Sequence, residues 1–114
     1  MDARIKNLQS WWIKTATNDF EYMLPKVSEY GGSGQGSADL RIMGDNLAAL
    51  MGWEREHIDE STLQELAIWF YVQGKIGRLI SDYQQRRPGK ADTWHDITVY
   101  SMMARRLQET GEWP

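Results

Sequence analysis

The chain has 114 residues, enough for one domain with a sizeable core, and carries 16 Asp and Glu against 13 Lys and Arg, a net charge of −3. It has no cysteine, which rules out disulfides, thiolate catalysis and cysteine-based zinc sites and suits a reducing compartment. Both signs of charge are mixed along the chain with acid in excess, which argues against a nucleic-acid partner, since that calls for a basic stripe.

The longest apolar runs, such as Leu66 to Val72, fall far short of the roughly 20 residues a bilayer span requires, so no membrane role is expected. The opening Met1-Asp2-Ala3-Arg4-Ile5-Lys6 has no apolar segment behind it, so no signal peptide and a cytoplasmic location are expected. Six tryptophans are many for this length. Trp11 and Trp12 stand side by side and cannot both face one core, which points to an oligomer interface.

Helical periodicity recurs four times and strand signals are almost absent. In the first segment Ile5, Leu8, Trp12, Ala16, Phe20, Met23 and Val27 trace one stripe, and Pro25 should kink or restart the helix. The Gly/Ser-rich stretch at 31–37 reads as a flexible joint inside a single domain. It lacks the Gly-Lys-Ser/Thr ending of a nucleotide P-loop. Ser37 is a suitable N-cap for a second helix from about Ala38 to Met51, closed by Gly52.

A third helix should start near Asp59 or Ser61, where Ser61 and Gln64 match a capping box, and run to about Gln85. Leu63, Leu66, Ala67 and Phe70 line one side, and Ile68, Val72, Ile76, Leu79 and Tyr83 another, which makes this helix central. Gly74 and Gly77 each cost about 1 kcal/mol of helix propensity, and close approach of a neighbouring helix is the expected compensation. The remaining polar strip is Tyr71, Lys75, Arg78 and Asp82. The basic turn Gln84 to Lys90 reads as a solvated helix end.

The fourth helix should run from about Asp92 to Gly111 with Ile97, Tyr100, Ala104 and Leu107 inward and Asp96 at the edge of that face. His95 is expected to be exposed. The fold expected is all-α, an antiparallel bundle of about four helices.

Two constellations carry chemistry. Lys75 and Arg78 lie one turn apart, as do Asp92 and Asp96, so each pair can address one point. Two carboxylates opposite two cations can hold Mg²⁺ and a polyphosphate. The same four groups can form a salt-bridge network, Lys75 and Arg78 pairing with Asp96 and Asp82, and spacing favours this reading. Asp92 is also expected as the N-cap of the fourth helix, and Asp39 suits the first turn of its helix. Glu29 follows Lys26 by one turn at the mouth of the Gly-rich stretch.

Lys26-x-x-Glu29-Tyr30-Gly31, Asp39-Leu40, Gly74-Lys75-x-x-Arg78, Asp92-x-x-x-Asp96-x-x-x-Tyr100 and Gly111-x-Trp113-Pro114 together resemble small proteins of actinobacterial phages. The second half is similar to the phage MazG-like group of all-α nucleoside triphosphate pyrophosphohydrolases, over about 30 residues. That resemblance implies a MazG-like bundle that hydrolyses a nucleotide, NTP or dNTP, to the monophosphate and pyrophosphate with Mg²⁺, or Mn²⁺ in its place, in the cytosol of a bacterial host. It implies metal ligands at Asp92, Asp96 and Glu29, with Asp39 as the alternative early carboxylate, and catalytic roles for Glu29 and Asp96. Lys26, Lys75 and Arg78 would hold phosphates, and Tyr30 or Trp94 would stack on a base.

The group's Glu-Glu-x-x-Glu cluster is missing, since the second helix reads Leu40-Arg41-Ile42-Met43-Gly44-Asp45. The alternative expectation is therefore a catalytically inert helical binding protein, a homodimer or higher oligomer. It would act on a nucleotide or a host protein through Trp11-Trp12 and Trp113-Pro114.

Overall fold

The structure, a computed structural model, describes residues 2–30 and 40–114 and their side chains, except those of residues 28–30. Helix α1 spans Ala3–Met23, α2 Leu40–Leu50, α3 Glu60–Gln84 and α4 Ala91–Thr110, with 3₁₀ turns at Leu24–Tyr30 and Arg55–His57. No strand occurs among the described residues, so the all-α expectation holds. No described helix is long and apolar enough to cross a membrane.

Local chemistry sets the boundaries. Asp2 caps α1 by accepting the Arg4 N–H at 2.7 Å, and α1 stops just before Pro25. The end of α2 is a Schellman motif: Gly52 takes φ +73°, its N–H reaches Ala49 O, and the Trp53 N–H reaches Ala48 O. The N-cap of α3 is Asp59 rather than Ser61. Its carboxylate accepts the Thr62 N–H at 2.8 Å, and hydrogen bonds from the Thr62 side chain and amide lower its pKa. Lys90 caps α4 without a side-chain bond, so Asp92 is a first-turn residue and not the N-cap. The Ser37 cap and the 31–37 stretch lie outside the described residues.

Helices α3 and α4 run antiparallel, with three rungs between them. Gln108 Nε2 donates to Glu65 Oε1 at 2.9 Å, Tyr100 stacks on Tyr71 at 5.7 Å, and Lys75 meets Asp96 at 2.9 Å. Leu40, Ala67, Ile68, Tyr100, Met103 and Leu107 form the core where α2, α3 and α4 meet. Burial of these apolar side chains, each worth about 1.5–3 kcal/mol, holds the three helices together. On α4 the inward residues are Thr93, Tyr100, Met103 and Leu107. Met103 thus takes the place the sequence pattern assigned to Ala104, which packs at the margin.

The close helix crossing falls at Gly44, where an added Cβ would collide with the Leu63 carbonyl oxygen. Gly74 and Gly77 face open space instead, which overturns the expectation placed on them. Arg55 ties the α2–α3 corner: Nε donates to Asp45 Oδ1 at 2.7 Å, Nη1 to Ile58 O at 3.1 Å, and Nη2 bonds Glu60.

Helix α1 contributes nothing to this core. None of its residues is buried, and Ile5, Leu8, Trp12 and Phe20 of its apolar stripe are all more than half exposed. It touches α4 along its C-terminal end, where Asp19 meets His95. The Cα radius of gyration is 16.6 Å, against about 13 Å for a compact domain of this length.

Candidate functional site

The end of α1 and the turn after it, the middle of α3 and the start of α4 enclose a cleft of about 80 Å³. Tyr22, Lys26, Lys75, His95, Asp96 and Tyr100 line it. Each arrives for a local reason. Lys75 lies one turn beyond Tyr71 on the polar strip of α3, and Tyr71 is fixed by stacking on Tyr100. Asp96 lies one turn before Tyr100 on α4, so the same aromatic pair sets its height opposite Lys75. Lys26 follows Pro25 on the 3₁₀ turn that bends the chain after α1.

Lys75 Nζ is 2.9 Å from Asp96 Oδ2, and the two side chains are only 18% and 28% exposed. Lys26 Nζ sits 5.0 Å from the centroid of the Tyr22 ring, a cation–π contact. His95 Nδ1 lies 2.6 Å from Asp19 Oδ1, and its ring meets Tyr22 edge-on at 4.7 Å. With Nδ1–H donating to the carboxylate, the Asp19 pairing fixes the ring's orientation. His95 is therefore a partly buried link between α1 and α4 and not the exposed residue that the sequence suggested.

The cleft gathers three of the seven residues expected at a site, Lys26, Lys75 and Asp96. Arg78 and Asp92 are exposed and do not line it. Asp39 and the Glu29 side chain lie outside the described residues. Asp82 binds Arg87 and neither Lys75 nor Arg78: Arg87 Nε and Nη2 both approach its Oδ1 at 2.9 Å. Sequence reasoning missed Asp19, Tyr22 and His95 as one unit, because Asp19 and His95 are 76 residues apart and only helix packing joins them.

Mg²⁺ takes oxygen ligands and sits on carboxylates, supplemented by phosphate and water. Among the described residues the cleft offers one carboxylate, Asp96, and Lys75 already neutralises it. The next carboxylate, Asp19, is engaged by His95. The described side chains of the cleft do not by themselves make up a divalent-metal site. Two lysines with one paired carboxylate suit an anion instead. Elsewhere, Glu54, Glu56 and His57 bring three exposed ligand atoms within 4.8 Å of one another, and His57 Nδ1 lies 3.1 Å from Glu54 Oε2. Solvent satisfies such groups without an ion.

Trp113 is not a free contact residue, since it packs against the core with its Nε1 buried and without a hydrogen-bond partner. Trp11 and Trp12 are 58% and 64% exposed, with their rings edge to face at 6.2 Å. No protein-family model, curated protein or solved structure matches this chain.

Proposed function

We propose that the chain binds a phosphorylated small molecule, a nucleotide in the first instance, through the cleft between α1, α3 and α4. The observation that supports this reading is the convergence of Lys26 and Lys75, from separate elements, on one recess beside Tyr22 and His95. A lysine is a point-charge ligand for phosphate oxygens, and a partly desolvated one binds them more strongly than one in water. At about 80 Å³ the cleft is well below the ~300–1,000 Å³ of a pocket that swallows a whole ligand. It matches a phosphoryl group, with the nucleoside outside against the exposed Tyr22.

The MazG-like resemblance extends this to Mg²⁺- or Mn²⁺-dependent hydrolysis in a phage-infected bacterial cytosol. That extension needs a carboxylate beyond Asp96, and none other lines the cleft among the described residues. Binding without turnover is the reading the charge balance favours. Titration of NTPs and dNTPs by calorimetry is expected to give binding that Lys26→Gln weakens by about tenfold, the loss of one charge-assisted bond. Lys26 is exposed, so this variant keeps its fold. Pyrophosphate release would be followed in the same samples with each metal, beside Asp96→Asn. Release that disappears in Asp96→Asn makes the protein a hydrolase. No binding of any nucleotide sinks the reading.

A second reading, a helical interaction protein working through its tryptophan-rich surface, is favoured by a separate observation. An apolar stripe covers α1, yet no residue of that helix is buried.

A further inference from the structure

We propose that α1 is a self-association arm and that its apolar face is covered by α1 of a second copy, packed antiparallel. The inference rests on the interaction-protein reading and commits it to one occupant.

At about 1.5 Å per residue, the 21 residues of α1 form a rod about 31 Å long. An isolated helix of that length is marginal in water, and most helical stability in proteins comes from packing an apolar face. Only the end near Asp19 and Tyr22 has such packing, through His95. Towards the other end, Trp11, Trp12, Thr15 and Ala16 border a gap of about 170 Å³ in which Thr98 is the residue α4 contributes. The underside of α1 is therefore not seated on its own core.

Area gives the first argument for a second copy. Ile5, Leu8, Trp11, Trp12, Ile13 and Phe20 are each between 53% and 64% exposed. The stripe residues Ile5, Leu8, Trp12 and Phe20 together present on the order of 500 Å², more than half of the ~800 Å² per partner of a standard dimer interface, and Trp11 and Ile13 stand on either flank of the stripe. A helix-on-helix contact between two such arms supplies the centre of an interface of that class.

Charge gives the second. Helices favour acids in the first turn and bases in the last, and α1 has neither. Instead Arg4 and Lys6 stand near its N-terminus and Asp19 and Glu21 near its C-terminus. This order opposes the helix's own dipole. It is complementary to an antiparallel copy: with the crossing midway between Trp12 and Ile13, Lys6 of each arm lies beside Glu21 of the other, while Arg4 and Asp19 keep their partners Asp2 and His95. A two-fold axis there makes every contact occur twice. Between Asp2 and Met23 three cations balance three carboxylates, so the arm lacks the basic face that would direct it to an anionic membrane.

The test is sedimentation equilibrium of the full chain over a concentration series, with Trp12→Glu, Lys6→Glu and the double variant Lys6→Glu/Glu21→Lys. Twice the 13.3 kDa chain mass is expected. Dimer affinity should fall at least about thirtyfold in Trp12→Glu, because the anchor is lost from both arms. Lys6→Glu should weaken it by about tenfold, and the double variant should restore most of that loss. Circular dichroism should show the α2–α3–α4 core melting unchanged in each, since all three substituted residues are exposed. A wild-type mass of one chain at every concentration overturns the proposal. So does a dimer that Trp12→Glu leaves intact, or a double variant no better than Lys6→Glu. A monomer that co-sediments with phosphatidylserine vesicles would assign the arm to a lipid surface. A monomer that still binds a protein of the bacterial cytosol through Trp12 would overturn self-association while leaving the interaction-protein reading standing.

Discussion

Asp82 is a charged side chain buried to 3% exposure, and its fate illustrates how much a single residue depends on the chain's path. Helix α3 ends in a Schellman motif with Arg86, φ +60°, in the left-handed position usually held by glycine. The Arg86 N–H reaches Tyr83 O and the Arg87 N–H reaches Asp82 O. This reversal lays the Arg87 guanidinium on the Asp82 carboxylate. Removing a partner from a buried ion pair strands the other charge, so Arg87→Met should lower unfolding free energy by about 2–3 kcal/mol in urea. A loss below about 0.5 kcal/mol would mean that water already serves Asp82. Of the pairings the sequence suggested, Lys75–Asp96 formed and Asp82 with Lys75 or Arg78 did not. Both were compatible with helical spacing. The choice was made by a turn whose backbone handedness carries no glycine signal.

At the scale of elements, the glycines separate by what faces them. Gly44 is pressed against the Leu63 backbone, so Gly44→Ala should destabilise by at least about 1–3 kcal/mol through forced separation of α2 and α3. Gly74 and Gly77 meet nothing, so Gly74→Ala and Gly77→Ala should each stabilise by up to about 1 kcal/mol. Thermal melts of the three variants check this, and a destabilising Gly74→Ala or Gly77→Ala would show that a partner does approach that face. Helix existence and ends were largely legible here, because Gly52, Gly111 and Pro25 act within a few residues, although α3 and α4 start on Asp59 and Lys90 and not on Ser61 and Asp92. Which glycine marks the close crossing was not, since propensity is the same at all three positions. The outward side of α3 shows the same limit. Phe70, Ile76 and Tyr83 fit the apolar pattern yet are exposed, because α2 and α4 cover only part of that helix.

At the scale of the molecule, the chain divides into a three-helix core and an arm. Local opening is cheapest where few apolar contacts hold an element, so α1 should exchange its amides with far less protection than α3 or α4 in dilute protein. Its protection should rise with concentration as copies associate, while that of Ala67 and Met103 stays constant. Hydrogen exchange at two concentrations reads both. Protection of α1 equal to that of α3 in dilute protein would mean that the arm is held by its own chain. Asp19, Tyr22 and His95 then take on a second significance, because they join the arm to the cleft where Lys26 and Lys75 converge.

The sequence alone determined the all-α class and the approximate helix limits, and it offered the lysine–aspartate pairing across α3 and α4 as one of several pairings that helical spacing allows. Class and limits follow from periodicity, capping and short connections, which act over a few residues. Tertiary structure decided that α1 stands outside the core, that His95 faces Asp19, and that Asp92 and Arg78 stay clear of the cleft. An apolar stripe records that a helix has a face to cover. It does not record whether the covering surface belongs to the same chain, because burial in a core and burial in an interface require the same side chains.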